Sequence, residues 1–137
     1  MHTRITVQML LHKIAPHFPS PDAMARRVGV ISMFRAQTRE LRKAMAGHAV
    51  LASVRVSTVD SFQGAEQDVI VVVSSRVGDN AGGQFLVDVR RLNVTLTRAR
   101  YHVIFVGDAK ALRSSSPEWR AIVTEARVIG ADQLLME

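Results

Sequence analysis

The sequence predicts an α/β sandwich in which a mostly parallel sheet carries helices on both faces. Four short runs, "VGVISM" (28 to 33), "VRVSTV" (54 to 59), "DVIVVVSS" (68 to 75) and "HVIFVGD" (102 to 108), read as strands from their Val and Ile content. Each is a continuous apolar run, the pattern of a strand covered on both faces. Helix-length segments separate or flank these runs, which argues right-handed crossovers and a parallel sheet. With 137 residues and 47% apolar composition the chain is about one domain's worth, enough to bury a core.

Taken in order, residues 4 to 15 place Ile5, Val7, Met9, Leu10 and Ile14 close to helical spacing, and the segment stops before "PHFPSPD", a Pro and Ser cluster read as a loop. After the first strand, "RAQTRELRKAMAG" (35 to 47) is a polar-faced helix closed by Gly47 as a C-cap. Beyond the third strand, "RVGDNAGGQF" is too rich in Gly and Asp for packing to order it, so a mobile loop is expected there. The next segment, "DVRRLNVTLTRAR" (88 to 100), is expected as a basic helix leading into the fourth strand. Finally, Ser116 and Pro117 take N-cap and first-turn positions for a helix whose Trp119, Ile122, Val123 and Ala126 face the sheet. Neither an internal repeat nor a low-complexity tract is present.

Lys and Arg total 18 against 12 acidic residues, and 15 of the 18 are Arg, the side chain whose planar fork suits bidentate phosphate contact. A polyanionic partner fits that balance, and so does solubility alone. The absence of cysteine removes disulfide frameworks and Cys-based metal sites and fits a reducing compartment. The N-terminal stretch is too short an apolar run for a membrane span and lacks a small-residue cleavage site. No membrane partner is expected, and the expected location is intracellular, cytoplasmic or nuclear/nucleoid. The five His residues, at 2, 12, 17, 48 and 102, lack the carboxylate spacing of a metal site, so none is read as a ligand.

In a parallel α/β sheet ligands gather where the strands end. Three segments fall at strand ends: "FRAQ" after the first strand, "DSFQGAE" after the second, and the arginines of "TRAR" just before the fourth. They are expected to face one crevice. No G-x-x-x-x-G-K-[ST] loop occurs, and no acidic pair ends a strand to hold Mg²⁺, so the groups that cradle the β- and γ-phosphates of a nucleotide are missing from the chain.

Three collinear stretches now become specific. "VISMFRAQTRELR" is similar to motif IV, "VSTVDSFQGAEQDVIVVVSSR" resembles motif V, and "FLVDVRRLNVTLTRARYHVIFVGD" resembles motif VI of the superfamily 1B helicases, the group of the nonsense-mediated-decay RNA helicase and related DNA helicases. The resemblance covers roughly residues 28 to 113. It implies a RecA-like three-layer sandwich, the second motor domain of a helicase core, with an N-terminal helix and loop over 1 to 27, motif IV over about 28 to 40, motif V over about 55 to 76, motif VI over about 85 to 108 and a C-terminal helix over about 116 to 130. By motif position Arg98 is the arginine aimed at the γ-phosphate, where charge spreads over the phosphoryl oxygens in the transition state. Glu66 matches the position that hydrogen-bonds the ribose, and Gly64 the glycine that lets backbone approach the phosphates. Gln63 shares that turn and is open to two readings, ligand contact or bonding of the loop backbone. Phe34 falls where the family stacks an aromatic on adenine, with core packing as the other reading. Arg35 sits where distant relatives carry a second phosphate-binding arginine. Met33 replaces the usual proline, and Gln84-Phe85-Leu86 replaces Gly-Phe-Leu.

The resemblance further implies a single-stranded DNA or RNA track near Ser57, Thr58, Val59, Asn93 and Thr95, although hydroxyls there could equally cap the following helix. The implied ligand is ATP with Mg²⁺, the metal held by a first RecA-like domain, upstream or on a separate chain. Alone the chain is expected not to hydrolyse ATP. The missing phosphate loop leaves a second reading, a non-catalytic remnant that binds nucleic acid or a partner protein.

Overall fold

In the computed structural model, residues 3–32, 34–59, 61, 66–73, 89–107, 109–115 and 117–126 are described. Helix α1 (Thr3–Ile14) passes through a short 3-10 turn (Ala15–His17) to α2 (Pro21–Arg27), strand β1 (Val28–Ser32) and helix α3 (Arg35–Ala46). Strands β2 (Arg55–Thr58) and β3 (Gln67–Val73) follow, then α4 (Val89–Leu96), β4 (Ala99–Val106), α5 (Ala109–Ser115) and α6 (Pro117–Glu125). Among the described residues the sheet has four strands in the order β2-β1-β3-β4, and every pairing is parallel. The expected α/β architecture with a parallel sheet is what forms.

Side-chain alternation along the strands splits the interior in two. Val28 and Val30 of β1, Val56 of β2, and Val71 and Val73 of β3 join Val7, Leu11, Met24, Leu41 and Met45 in one core under α1, α2 and α3. Ile31, Ile70 and Val72 face the other way and pack with Val59, Leu112, Trp119 and Val123 under α5 and α6. Trp119 is wholly buried, its ring edge-on to Phe105 at 5.2 Å between centroids. On the free side of β2, Arg42 of α3 donates from Nε to the Val56 carbonyl at 2.8 Å, occupying an acceptor that an edge strand would otherwise leave exposed.

Several boundaries differ from the sequence expectation. The "PHFPSPD" stretch is not wholly a loop, because Ser20 caps α2 by accepting the Ala23 N–H at 3.1 Å and Pro21 stands in the first turn. A run of prolines hid an N-cap signal that was legible residue by residue. The basic helix is shorter than 88 to 100. Its last turn closes with Thr97 N–H donating to Asn93 and Arg98 N–H to Thr95, and β4 starts at Ala99, three residues before the expected strand. Pairing of Ala99 with Gln67 draws these residues into the sheet, a long-range contact that outweighs local helix preference. Helix α5 was not expected, and α6 ends at Glu125. The Gly-rich stretch 76 to 85, Ser116 and residues 127 to 130 of the expected terminal helix lie outside the described residues.

Gly47 does follow α3, but as an ordinary right-handed residue with φ −77°. The nearest atom to a Cβ built there is the Ala44 carbonyl oxygen at 3.9 Å, so nothing demands glycine. Gly47→Ala is therefore expected to stabilise the fold by about 0.4–1 kcal/mol through the unfolded chain, read as a higher urea midpoint with unchanged slope.

Candidate functional site

Strand register divides the expected site residues between the two edges of the sheet. Ser32 pairs with Thr58 and with Val73, which defines the carboxyl edge. Gln67 pairs with Ala99 at the amino edge. Six residue steps at about 3.3 Å each separate Gln67 from Val73, so the edges stand about 20 Å apart. The expectation that "FRAQ" and "TRAR" face one crevice is corrected by this: in parallel strands, a segment after β1 and a segment before β4 lie at opposite ends.

At the carboxyl edge Phe34 is the residue before α3. Its carbonyl accepts from Thr38 N–H at 3.0 Å and from Thr38 Oγ1 at 3.1 Å, and the buried Ser32 hydroxyl oxygen accepts the Phe34 N–H at 3.2 Å. The Phe34 side chain is half-buried against the Ile31 and Trp119 core. Arg35, the next residue, is exposed. On β2 the buried Ser57 hydroxyl accepts from Arg55 Nε at 3.2 Å, and Thr58 Oγ1 donates to Ser61 Oγ at 3.1 Å, so both hydroxyls already have partners within the chain. Arg55 also donates from Nη2 to the Ser61 carbonyl at 2.6 Å, pulling the start of the β2–β3 connection against β2. Val59 is buried, Asn93 is exposed, and Thr95 is fully buried on α4.

The amino edge gathers charge. Gln67 N–H donates to the Arg98 carbonyl at 2.9 Å, tying the first residue of β3 to the turn before β4. Beside that bond, Arg100 Nε lies 3.4 Å from Glu66 Oε2 and Arg100 Nη1 lies 3.9 Å from Asp68 Oδ1. Arg27, at the end of α2, approaches Asp68 Oδ2 at 3.9 Å. Within this group Gln67 Oε1 is buried without a hydrogen-bond partner among the described residues. Arg98 is half-buried, with Nε donating to the Val94 carbonyl at 3.2 Å and Nη2 reaching Thr97 Oγ1 at 3.4 Å. A guanidinium at the last turn of a helix is well placed for such a contact with the helix carbonyls. Two of its five N–H donors are used there, which holds the side chain by its base. Gln63 and Gly64 lie outside the described residues.

Sequence reading had not singled out Arg27 or Asp68, and it had named Arg100 only as one of the arginines of "TRAR", without a role. Asp68 stands two residues from Glu66, a spacing that shares one side of an extended chain, so a signal existed for it. Arg27 reaches the group only through the β1–β3 pairing, which no local pattern announces.

The family described as AAA domain matches residues 3–110. The chain belongs to that family. Over 124 residues it is 36% identical to Regulator of nonsense transcripts 1 of Dictyostelium discoideum, a stretch that covers 87% of this chain and 9% of that protein. It is 38% identical over 103 residues to Helicase sen1 of Schizosaccharomyces pombe, 73% of this chain and 6% of that protein. With DNA polymerase alpha-associated DNA helicase A of Saccharomyces cerevisiae it shares 40% over 86 residues, 63% of this chain and 13% of the other. The chain spans about a tenth of the length of the curated relatives it matches. Together the family match, the helicase relatives and the parallel α/β fold support a superfamily 1 helicase domain. Among the described residues, no helix is long and apolar enough to cross a membrane.

Proposed function

We propose that this chain is the second RecA-like motor domain of an ATP-dependent helicase or translocase acting on single-stranded DNA or RNA. The observation that carries the reading is the amino edge of the sheet, where Glu66 of the motif V stretch and Arg98 of the motif VI stretch are joined through the Gln67–Arg98 bond and the Glu66–Arg100 contact. ATP fits the groups present. Glu66 Oε1 has no partner among the described residues and can accept from a ribose hydroxyl, while Arg98 retains donors beyond those its helix occupies. A guanidinium brought to the γ-phosphate by closure of two domains stabilises the charge of the transferring phosphoryl group. Gly64 and Gln63 complete this turn by resemblance; Phe34 and Arg35, matched to the nucleotide by the same resemblance, stand at the opposite edge and do not reach a ribose held by Glu66.

When ATP is bound, Mg²⁺ supplies charge neutralisation across its β- and γ-phosphates. The ligands of that ion are assigned, by resemblance, to the first RecA-like domain. The nucleic-acid track is assigned to the backbone around Ser57, Thr58 and Val59 and to exposed Asn93, whereas Thr95, expected there from the sequence, is fully buried and out of reach of a bound strand. Such contacts to phosphate and sugar are tolerant of sequence.

The chain alone is expected to turn over no ATP, and the chain joined to a first RecA-like domain that carries a phosphate-binding loop is expected to do so. A phosphate-release assay on both forms decides this. Equal, absent turnover would leave the domain as a binding remnant.

A further inference from the structure

One residue at the amino edge is placed by an irregularity in the sheet. From Gln67 to Val69 the β3 strand advances two residues, while its partner advances three, from Ala99 to His102. This bulge breaks the alternation of β4, and Arg100, Tyr101 and His102 are all exposed in succession. Bulges re-aim side chains beside functional sites. Here the bulged segment carries Arg100, whose Nε meets Glu66 Oε2 at 3.4 Å and whose Nη1 meets Asp68 Oδ1 at 3.9 Å. Glu66, just before β3, and Asp68, its second residue, are two residues apart, so a planar guanidinium can lie against both with separate nitrogens, where an ammonium offers a single point of charge. Asp68 is in turn approached from its other oxygen by Arg27. The result is a chain of alternating charge, Arg27, Asp68, Arg100, Glu66, running from the end of α2 across the amino ends of β3 and β4.

We infer that Arg100 is a positioning residue for Glu66, holding one carboxylate oxygen so that the other is presented to the ribose of the nucleotide. The inference rests on the reading that Glu66 binds that ribose. The Arg100 and Glu66 side chains are each 57% exposed, and exposed ion pairs contribute little to folding. Their geometry therefore matters through the orientation of Glu66, and removing Arg100 leaves the fold intact.

The test uses the chain joined to its first RecA-like domain and steady-state hydrolysis of ATP, 2′-deoxy-ATP and 3′-deoxy-ATP. Arg100→Ala is expected to raise the KM for ATP about three- to fivefold, the range open to an exposed pair, with kcat within about twofold. It also erases the wild-type preference for ATP over the deoxy analogue that lacks the bound hydroxyl. Arg100→Lys restores part of both, and Arg100→Ala adds nothing in a Glu66→Ala background, because the two residues act through one contact. A wild-type protein that hydrolyses all three nucleotides with equal KM would sink the ribose reading and the inference with it. If instead the wild type discriminates, Glu66→Ala abolishes the discrimination and Arg100→Ala leaves it untouched, the inference alone is overturned. Thermal melting of each variant identifies any loss due to unfolding.

Discussion

Arg98→Ala is expected to lower kcat of the joined protein by about 10³-fold or more while changing the KM for ATP little. The magnitude is that of an arginine supplied to a phosphoryl transition state by an opposing domain. The separation of kcat from KM follows from timing, since charge on the γ-phosphoryl oxygens develops most fully after the ground state. The structure makes this variant clean. Arg98 gives the fold a donor to the Val94 carbonyl and a long contact to Thr97, and their loss costs about 1 kcal/mol. Arg98→Lys keeps one charge, loses the fork, and is expected to recover only a small part of the rate. Single-turnover hydrolysis at saturating ATP, beside a melting curve, separates the lost chemistry from lost structure.

Trp119→Ala is expected to cost about 3–5 kcal/mol of folding free energy, the usual range for truncating a large buried aromatic. Trp119 is the largest of the fully buried side chains and stacks edge-on with Phe105 of β4. It stands in the core that also includes Ile31, Val59, Ile70, Val72, Leu112 and Val123. Removing it opens a cavity between α6 and the sheet rather than shaving an edge. A domain of ordinary stability, about 5–15 kcal/mol, would lose about a fifth or more of its margin. Urea unfolding followed by circular dichroism measures the loss, and Trp119→Phe, which keeps most of the ring contact, should recover a large part of it.

The fold was legible where burial is continuous. Val69 to Val73 forms a strand because five β-branched residues in a row suit a position covered on both faces, and the cover is there, Val71 and Val73 entering one core and Ile70 and Val72 the other. Trp119 and Val123 were legible for the same reason, as one apolar stripe on a helix. Local capping chemistry was legible but overlooked at Ser20, where neighbouring prolines suggested a loop. What the chain could not announce locally was set by pairing between distant strands. The early start of β4 and its bulge depend on the register against Gln67. For the candidate site, Glu66 and Arg98 were both visible as members of motif-like stretches, and the structure brings them to one edge. Their separation from Phe34 and Arg35 follows from strand direction, which the order of segments along the chain does not display. Arg27 and Arg100 acquire their meaning only once β1, β3 and β4 stand side by side.

The measurement that bears most directly on the central claim is the ATPase rate of the joined protein titrated with single-stranded DNA and RNA, wild type beside Arg98→Ala. A second motor domain predicts turnover that rises with the strand and is silenced by Arg98→Ala with the fold unchanged. Turnover that ignores both strands, or that survives Arg98→Ala, would contradict it.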